Sequence, residues 1–374
     1  MKKLLQICGW PILFGFIVSI GVICLKPELA GLTSSPMAYF FSPTTTLVSG
    51  FKQNSYNSAV KKATPAVVNI STKTVINQEK KFVEIPPHIK INKNNIETSL
   101  GSGVIINPNG FILTNNHVIQ GADHIIVGLR DGREVYATVV GTDSDTDLAV
   151  LKIRMTNLPY IHLADSTKAK VGDIVLAIGN PFGLSQTVTM GIISATGRHN
   201  LQLNTYEDFI QTDAAINIGN SGGALINAYG DLIGVNTLLF SIGGGNESIG
   251  FAIPSEMARF VMNSIMRHGY VIRGWLGIES QSLNNSLAKA YQIDADAGIL
   301  ISGVYETGPA DQAGLRRGDI LIDINGSKTI DGKLLMNLVA QITPGSKVTL
   351  GVLRNGKKIN LKALVAKRPT IINS

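Results

Sequence analysis

Gly219-Asn220-Ser221-Gly222-Gly223 is the stretch that decides the fold of this 374-residue chain. Glycines on both sides of Ser221 let the backbone turn sharply and bring two amide groups near a reacting carbonyl. A serine hydroxyl is a weak nucleophile at its free pKa, so it needs a base to take its proton and donors for the oxyanion. The stretch alone fits an ordinary turn as well as a nucleophile, so other segments must decide between the two.

Two upstream segments supply the partners that such a serine needs. His117 follows a strand-like segment, and Asp147 directly precedes the apolar run Leu148-Ala149-Val150. Taken separately, a histidine after a strand fits a core residue, and an aspartate before a strand fits a strand-entry cap. Together, the order His117, Asp147, Ser221 predicts a catalytic triad with His117 as general base, Asp147 orienting it and Ser221 attacking. This order is that of chymotrypsin-type proteases and not of subtilisins or α/β-hydrolases.

A series of further motifs in fixed order makes the chain resemble the HtrA (Deg) family of serine proteases from about Tyr56 to Pro369. The motifs are Ala66-Val67-Val68-Asn69-Ile70, Gly101-Ser102-Gly103-Val104-Ile105, TNNHV ending at Val118, TDLAVLKI from Thr146, Ala177-Ile178-Gly179-Asn180-Pro181, Gln211 to Asn217 leading into GNSGGAL, and Gly250-Phe251-Ala252-Ile253-Pro254. The resemblance implies a mostly β fold, with a chymotrypsin-like double β-barrel protease domain. It also implies that the backbone amides of Gly219 and Ser221 form the oxyanion hole.

A second set of turns follows the protease motifs and looks like one PDZ domain of the α+β class. Its landmarks are Trp275-Leu276-Gly277-Ile278, Gly308-Pro309-Ala310, Ala313-Gly314-Leu315, Gly318-Asp319-Ile320-Leu321 and Ile324-Asn325-Gly326. A generic α+β module is the alternative. The PDZ resemblance implies that the loop of Trp275, Leu276, Gly277 and Ile278 captures the C-terminal carboxylate of a peptide, which adds a strand to the sheet.

The first residues predict a membrane anchor. Residues 4–25 carry no charge and follow Lys2 and Lys3. At about 1.5 Å per residue they are long enough for a helix across the ~30 Å hydrocarbon core. The basic residues predict a cytoplasmic N-terminus, with everything after Lys26 across the membrane. A cleaved signal peptide is the competing interpretation.

These features divide the chain into five predicted segments. Between protease and PDZ motifs, Met257, Phe260, Val261 and Ile265 have helical spacing, which predicts a helix from Pro254 to His268. The predicted segments are a transmembrane signal anchor at 1–25, a flexible tether at 26–55, the trypsin-like protease domain at 56–262, a connector at 263–270 and the PDZ domain at 271–368.

Composition excludes several other classes of function. The net charge of +7 is spread along the chain without a Lys/Arg block, so we expect no nucleic-acid partner. Both cysteines, Cys8 and Cys24, precede the folded domains and leave no disulfide within them. The segment Asp143–Asp147 starts like a calcium loop, but Leu148 replaces the required glycine. We therefore expect neither a metal nor a cofactor.

The short polar loop at 77–97 and the single PDZ domain resemble the membrane-anchored members of the family. That resemblance implies a homotrimer in the bacterial inner membrane, with protease and PDZ domains in the periplasm. It further implies activation by C-terminal peptides of unassembled outer-membrane proteins and cleavage of a membrane-spanning anti-sigma factor in the envelope-stress response. Arg198 matches the family's regulatory arginine; a plain surface arginine is the alternative.

The sequence leaves three features with alternatives: the class of function, the substrate pocket and the contacts of Ile218. A general periplasmic quality-control protease is an alternative to the regulatory enzyme, and a non-proteolytic chaperone is a third, disfavoured because all three triad positions are intact. The substrate pocket should lie beside residues 216–218 and the segment Asn236–Phe240, which favours a small aliphatic residue before the cut. Ile218 departs from the polar or basic residue usual in the family, so loop contacts of that side chain are not carried over.

Overall fold

Six antiparallel strands between residues 67 and 153 form a closed barrel. After helix α1 (Asn57–Ala63) and a 3₁₀ turn (Thr64–Ala66), the elements in chain order are β1 (Val67–Val75), β2 (Val83–Ile85), β3 (Ile89–Ile91), β4 (Ile96–Ile105), β5 (Phe111–Asn115), helix α2 (Asn116–Ile119), β6 (His124–Gly128), β7 (Glu134–Asp143) and β8 (Leu148–Ile153). The barrel order is β1-β4-β5-β8-β7-β6, and β2 pairs only with β3.

The computed structural model describes residues 15, 17, 18, 55–75, 83–85, 89–91, 96–181, 186–217, 219–241, 248–283, 286, 288–289, 294 and 298–369.

A second closed barrel follows after a 3₁₀ turn (Ser166–Lys168). Its strands are β9 (Ile174–Gly179), β10 (Thr187–Arg198), β11 (Phe209–Thr212), β12 (Ala224–Asn227), β13 (Leu232–Ser241) and β14 (Ser248–Pro254), in the order β10-β11-β14-β13-β12-β9. Two six-stranded barrels in succession confirm the predicted chymotrypsin-like architecture. Closure leaves neither barrel with a free sheet edge.

Helix α3 (Ser255–His268) leaves the second barrel and packs back onto the first. Met257, Val261 and Ile265 on its inner face are buried, as their helical spacing predicts. The helix ends at Gly269, whose φ of 79° is in the left-handed region. A Cβ on Gly141 would lie 2.3 Å from the Gly269 carbonyl oxygen, so the close approach of helix and strand needs glycine there. The predicted boundary at residue 262 falls inside this helix.

The PDZ part is a sheet flanked by helices, as predicted. Its elements are β15 (Gly274–Trp275), β16 (Ile278–Ser282), β17 (Ile299–Val304), helix α4 (Pro309–Gln312), β18 (Ile320–Ile324), β19 (Ser327–Lys328), helix α5 (Gly332–Gln341), β20 (Lys347–Arg354), β21 (Lys357–Leu364) and β22 (Ala366–Lys367). The main sheet order is β16-β17-β18-β20-β21, with β19 beside β18, and β15 pairs with β22. The Asp331 carboxylate caps α5 by accepting from the amides of Lys333 and Leu334.

Residues Tyr56–Ser374 form one compact unit that includes both barrels and the PDZ part. A buried ion pair joins them: the Arg273 guanidinium donates to both carboxylate oxygens of Asp143, at 2.9 and 2.5 Å. The Asn337 side chain on α5 donates to the Glu207 carbonyl oxygen at 2.7 Å. The end of β7 and the segment before β11 therefore both touch the PDZ part directly.

The predicted anchor at 1–25 lies outside the described residues, apart from residues 15, 17 and 18, which are helical. Within the part of the chain that the structure describes, no helix combines the length and the apolar character needed to span a bilayer. The predicted tether, apart from Ser55, also lies outside the described residues.

Candidate active site

The side chains of His117 and Asp147 are in contact because the strands that carry them are neighbours. Strand β5 pairs with β8 so that Asn115 lies opposite Leu148. His117, in α2, follows the first of these strands, and Asp147 immediately precedes the second. Imidazole Nδ1 lies 2.6 Å from Asp147 Oδ2, and the His117 amide donates to Oδ1 at 2.9 Å. With the Nδ1 proton directed at the carboxylate, Nε2 of a neutral imidazole carries the lone pair that can accept a proton.

Asp147 is fixed by a set of contacts that spans both barrels. Its φ of 59° is in the left-handed region, which aspartate tolerates better than most residues. The backbone carbonyl accepts from the Asn116 amide and from Asn115 Nδ2, at 3.1 and 3.0 Å. From β13 of the second barrel, the Thr237 hydroxyl donates to Oδ2 at 3.1 Å. Sequence reasoning placed Thr237 only in a pocket wall and missed this contact, since no local pattern marks it.

Ser221 lies in the turn before β12, with its backbone held between the barrels. Its carbonyl oxygen accepts from the Ser102 amide at 2.8 Å, and the neighbouring Gly222 amide donates to Asn236 at 2.8 Å. The Ser221 hydroxyl donates to the Thr237 carbonyl oxygen at 2.8 Å. Among the hydrogen bonds of the described residues there is none between Ser221 and His117. The three predicted triad residues are thus linked through Thr237, which contacts both Ser221 and Asp147, and the Ser221 hydroxyl is directed at Thr237 and not at the imidazole.

Gly219 holds the turn in a conformation that suits glycine alone. Its φ is 98°, and a Cβ there would lie 2.5 Å from Pro181 Cβ. The Gly219 carbonyl oxygen accepts from the Ser102 hydroxyl at 2.6 Å, and that hydroxyl accepts from the Asn180 amide at 2.8 Å. Within the described part of the chain, the amides of Gly219 and Ser221 donate no hydrogen bond. An oxyanion hole needs donors that are not engaged elsewhere.

The predicted substrate pocket is only partly described. Ile216 is buried, and its Cδ1 would lie 2.9 Å from a Cβ on Gly250, so Ile216 packs closely against that glycine. Ile218 and the side chains at 238–240 lie outside the described residues.

Arg198 ends strand β10 and is exposed. Its Nε donates to Gln211 Oε1 at 2.8 Å, and no ion pair of Arg198 occurs among the described residues. The segment that follows it is organised by Glu207, which is fully buried and accepts from the amides of Leu201, Leu203 and Asn204. The Glu207 carbonyl oxygen in turn accepts from Asn337 on α5. Sequence reasoning found Arg198 but missed Glu207 and Asn337, because only the folded chain brings them together.

A cavity of about 560 Å³ lies between β16 and α5. All four residues predicted to bind a peptide terminus, Trp275, Leu276, Gly277 and Ile278, line it. Leu335, Met336 and Val339 form the opposite, apolar wall. The lining residues that were not predicted include Tyr206 from the segment before β11 and Arg368 after β22. The cavity is therefore built from both the PDZ part and the protease part.

Arginine side chains form ion pairs with two of the three aspartates in the segment 143–147. Asp143 pairs with Arg273, and Asp145 accepts from Arg368 at 2.9 Å. Within the described residues, no group of three or more His, Cys, Asp or Glu side chains is arranged to hold a metal ion.

Comparison with known proteins agrees with this geometry. Residues 101–235 match the model of the trypsin-like peptidase domain, and residues 274–365 match that of the PDZ domain. Serine endoprotease DegS of Escherichia coli K12 is 42% identical over 359 residues, which are 95% of this chain and 96% of that protein. A probable periplasmic serine endoprotease, DegP-like, of Pseudomonas putida GB-1 is 43% identical over 84% of this chain and 70% of its own length.

Solved structures give the same result. The HtrA-type protease AlgW with a decapeptide superposes with a TM-score of 0.70 at 52% identity, over 84% of this chain and 99% of that one. The serine endoprotease from Yersinia pestis superposes with a TM-score of 0.59 at 42% identity. Because the chain is 42% identical to DegS over 95% of its length and matches both domain models, it belongs to the HtrA-type family of serine endoproteases with a PDZ domain.

Proposed function

We propose that Ser221, His117 and Asp147 carry out peptide-bond hydrolysis in this serine endoprotease. His117 Nε2 takes the hydroxyl proton as Ser221 Oγ attacks the scissile carbonyl, and then delivers that proton to the leaving amine. Water attacks the acyl-enzyme by the same route and frees Ser221. Asp147 holds the imidazole and stabilises its protonated form. The observation that carries this proposal is the 2.6 Å contact between His117 Nδ1 and Asp147 Oδ2 beside the Ser221 turn.

The amides of Gly219 and Ser221 serve as the oxyanion hole in this proposal. Neither amide donates elsewhere among the described residues, and the Gly219 carbonyl is turned away toward the Ser102 hydroxyl. Loss of one such donor costs on the order of 10²–10³ in rate.

The hydrogen bond from Ser221 to Thr237 supports a resting state in which the nucleophile is not yet coupled to its base. In the active state of this proposal, the Ser221 hydroxyl donates to His117 instead. A C-terminal peptide in the cavity beside Trp275–Ile278 activates the enzyme only by binding the active state more tightly. A shift from about 1% to 99% active needs ~5.5 kcal/mol, more than the ~1–3 kcal/mol typical of coupled sites. Activation should thus be partial, with Arg198 relaying the signal.

The remaining features of the proposal follow the anchored relatives. Residues 1–25 form a single-pass anchor in the bacterial inner membrane with a cytoplasmic N-terminus, and 26–55 form a tether. The periplasmic part consists of the protease domain (56–262), a connector (263–270) and the PDZ domain (271–368). Three copies of the chain assemble into a homotrimer. The activating ligands are C-termini of unassembled outer-membrane proteins, and the substrate is a membrane-spanning anti-sigma factor. Support comes from the similarity to DegS and from the AlgW structures with a decapeptide and a tripeptide.

Cleavage of casein and of a fluorogenic peptide, with and without hydrophobic C-terminal peptides, tests the proposal. We expect low cleavage without peptide and a several-fold rise with it, abolished in Ser221→Ala. Cleavage that no C-terminal peptide changes would refute the regulatory part and leave the protease.

A general periplasmic quality-control protease is the second candidate, supported by the DegP-like relatives. N-terminal sequencing of the mature protein separates the two. An intact N-terminus in the membrane fraction supports the anchored regulatory enzyme, and a soluble form without the first residues supports the alternative.

A further inference from the structure

Arg368 is the only charged side chain among the described residues that line the cavity between β16 and α5. It follows β22, and its amide donates to the Arg273 carbonyl oxygen at 2.9 Å, just before β15 and the loop Trp275–Ile278. This pairing brings Arg368 to the same end of the cavity as the loop proposed to bind a peptide terminus.

Only one corner of the Arg368 guanidinium is engaged. Its Nη1 donates to Asp145 Oδ2 at 2.9 Å and to the Tyr206 hydroxyl at 3.0 Å. Among the described residues, Nε and Nη2 donate to no group, and 33% of the side chain is exposed. A guanidinium presents its donors in a planar fork that matches a carboxylate. The contacts to Asp145 and Tyr206 therefore hold the fork in place while leaving donors free.

The surroundings strengthen an ionic contact at this point. Trp275, Leu276, Leu335, Met336 and Val339 make the cavity largely apolar. A charge-assisted hydrogen bond next to apolar walls is stronger than one in open water. An uncharged peptide end would leave the free donors of Arg368 without a partner in the occupied cavity.

We propose that Arg368 is a specificity-determining residue of this cavity, which binds the terminal carboxylate of a peptide and selects free C-termini over capped or internal segments. The inference rests on the proposed peptide-binding function and assigns it a side-chain contact in addition to the backbone amides of the Trp275–Ile278 loop. Asp145 and Tyr206 act as positioning residues that orient the guanidinium.

The test measures the affinity of the full chain for a fluorescein-labelled decapeptide ending in Leu-Leu-Phe, as the free acid and as the C-terminal amide. Fluorescence anisotropy gives Kd for the wild type and for Arg368→Gln. We expect Arg368→Gln to weaken binding of the free acid about tenfold and binding of the amide less than about twofold, as for one charge-assisted hydrogen bond. Arg368→Lys should lie between the two, because it keeps the charge without the fork.

Lys367→Gln is the matched control, since the Lys367 ammonium contacts the Tyr270 hydroxyl and does not line the cavity. It should leave the ratio of the two affinities unchanged. An equal loss for acid and amide in Arg368→Gln would overturn the inference while leaving peptide binding intact. The inference would also be overturned if Arg368→Gln weakened binding only of an amide-capped peptide that carries an aspartate before its last residue. Arg368 would then bind a side-chain carboxylate and not the terminal one. Failure of the wild type to bind either peptide would instead refute the proposed function.

Discussion

The Ser221 hydroxyl donates to the backbone carbonyl oxygen of Thr237 at 2.8 Å, while the Thr237 hydroxyl donates to Asp147 Oδ2 at 3.1 Å. One residue of β13 thus contacts both the proposed nucleophile and the carboxylate that orients the proposed base. Because Thr237 comes from the second barrel and Asp147 from the first, this contact also joins the two barrels.

Ser221→Ala should abolish proteolysis while preserving the fold. The change removes one hydroxyl, and the Thr237 carbonyl loses one hydrogen bond worth about 1 kcal/mol. Cleavage of a fluorogenic peptide at saturating activating peptide should fall to background, with peptide affinity unchanged. Turnover above the uncatalysed rate in the purified variant would rule out Ser221 as the nucleophile.

Thr237→Val should lower kcat about tenfold and change KM less than about twofold. The isosteric change removes the hydroxyl that donates to Asp147, and a hydrogen bond to a charged group contributes about 1.5–3 kcal/mol. Steady-state kinetics with saturating activating peptide measure the split. Thr138→Val is the control, since its exposed hydroxyl donates to the backbone carbonyl oxygen of Lys152 on the outside of the first barrel. Equal kinetics of the two variants would contradict a role for the Thr237 hydroxyl.

Arg273→Ala should be strongly destabilising. Both side chains of the Arg273–Asp143 pair are 6% exposed, so the variant leaves a buried carboxylate without its cation, at a cost of about 3–5 kcal/mol. Urea denaturation should show a large fall in the midpoint. Combining Arg273→Met with Asp143→Leu should recover most of the loss, because no charge then stays buried.

The control for this pair is Arg133→Ala. Arg133 and Asp131 make a short but exposed ion pair at 2.6 Å, with about half of each side chain open to solvent. Exposed pairs contribute little, so the midpoint should barely move. Similar losses in Arg133→Ala and Arg273→Ala would mean that burial is not the cause.

Asp208→Asn should stabilise the protein at neutral pH and have little effect in mild acid. Burial raises the pKa of Asp208 to about 6, with His199 opposing the shift. The pKa in the unfolded chain is about 3.9, so the folded state binds the proton more tightly. This stabilisation is complete below about pH 4 and is lost as the pH rises through about 6. At pH 7.5 the variant should be more stable by up to about 3 kcal/mol.

Urea denaturation at pH 4.5 and pH 7.5 checks the prediction for Asp208. Asp294→Asn, at an exposed position, serves as the control and should show the same stability as the wild type at both values. An equal effect of Asp208→Asn at the two pH values would show that titration of this carboxyl does not contribute.

The sequence was sufficient for the features that repeat or that have a fixed local pattern. Turn residues between short apolar runs indicated the two barrels, and the spacing of Met257, Val261 and Ile265 indicated helix α3, because barrel strands and amphipathic helices bury residues at regular intervals. His117 and Asp147 could be selected because each stands in a distinctive motif, His117 just after a strand and Asp147 just before one. The structure brings them into contact.

Only the tertiary structure decided which segments far apart in the chain contact each other. The direction of the Ser221 hydroxyl, the support of Asp147 by Thr237 and the position of Arg368 in the cavity depend on how the two barrels and the PDZ part pack. No periodicity or motif encodes such pairs, because each needs two backbones placed to within a hydrogen bond of each other. The sequence by itself determined the elements, the family and the candidate residues, and packing determined which of those residues touch.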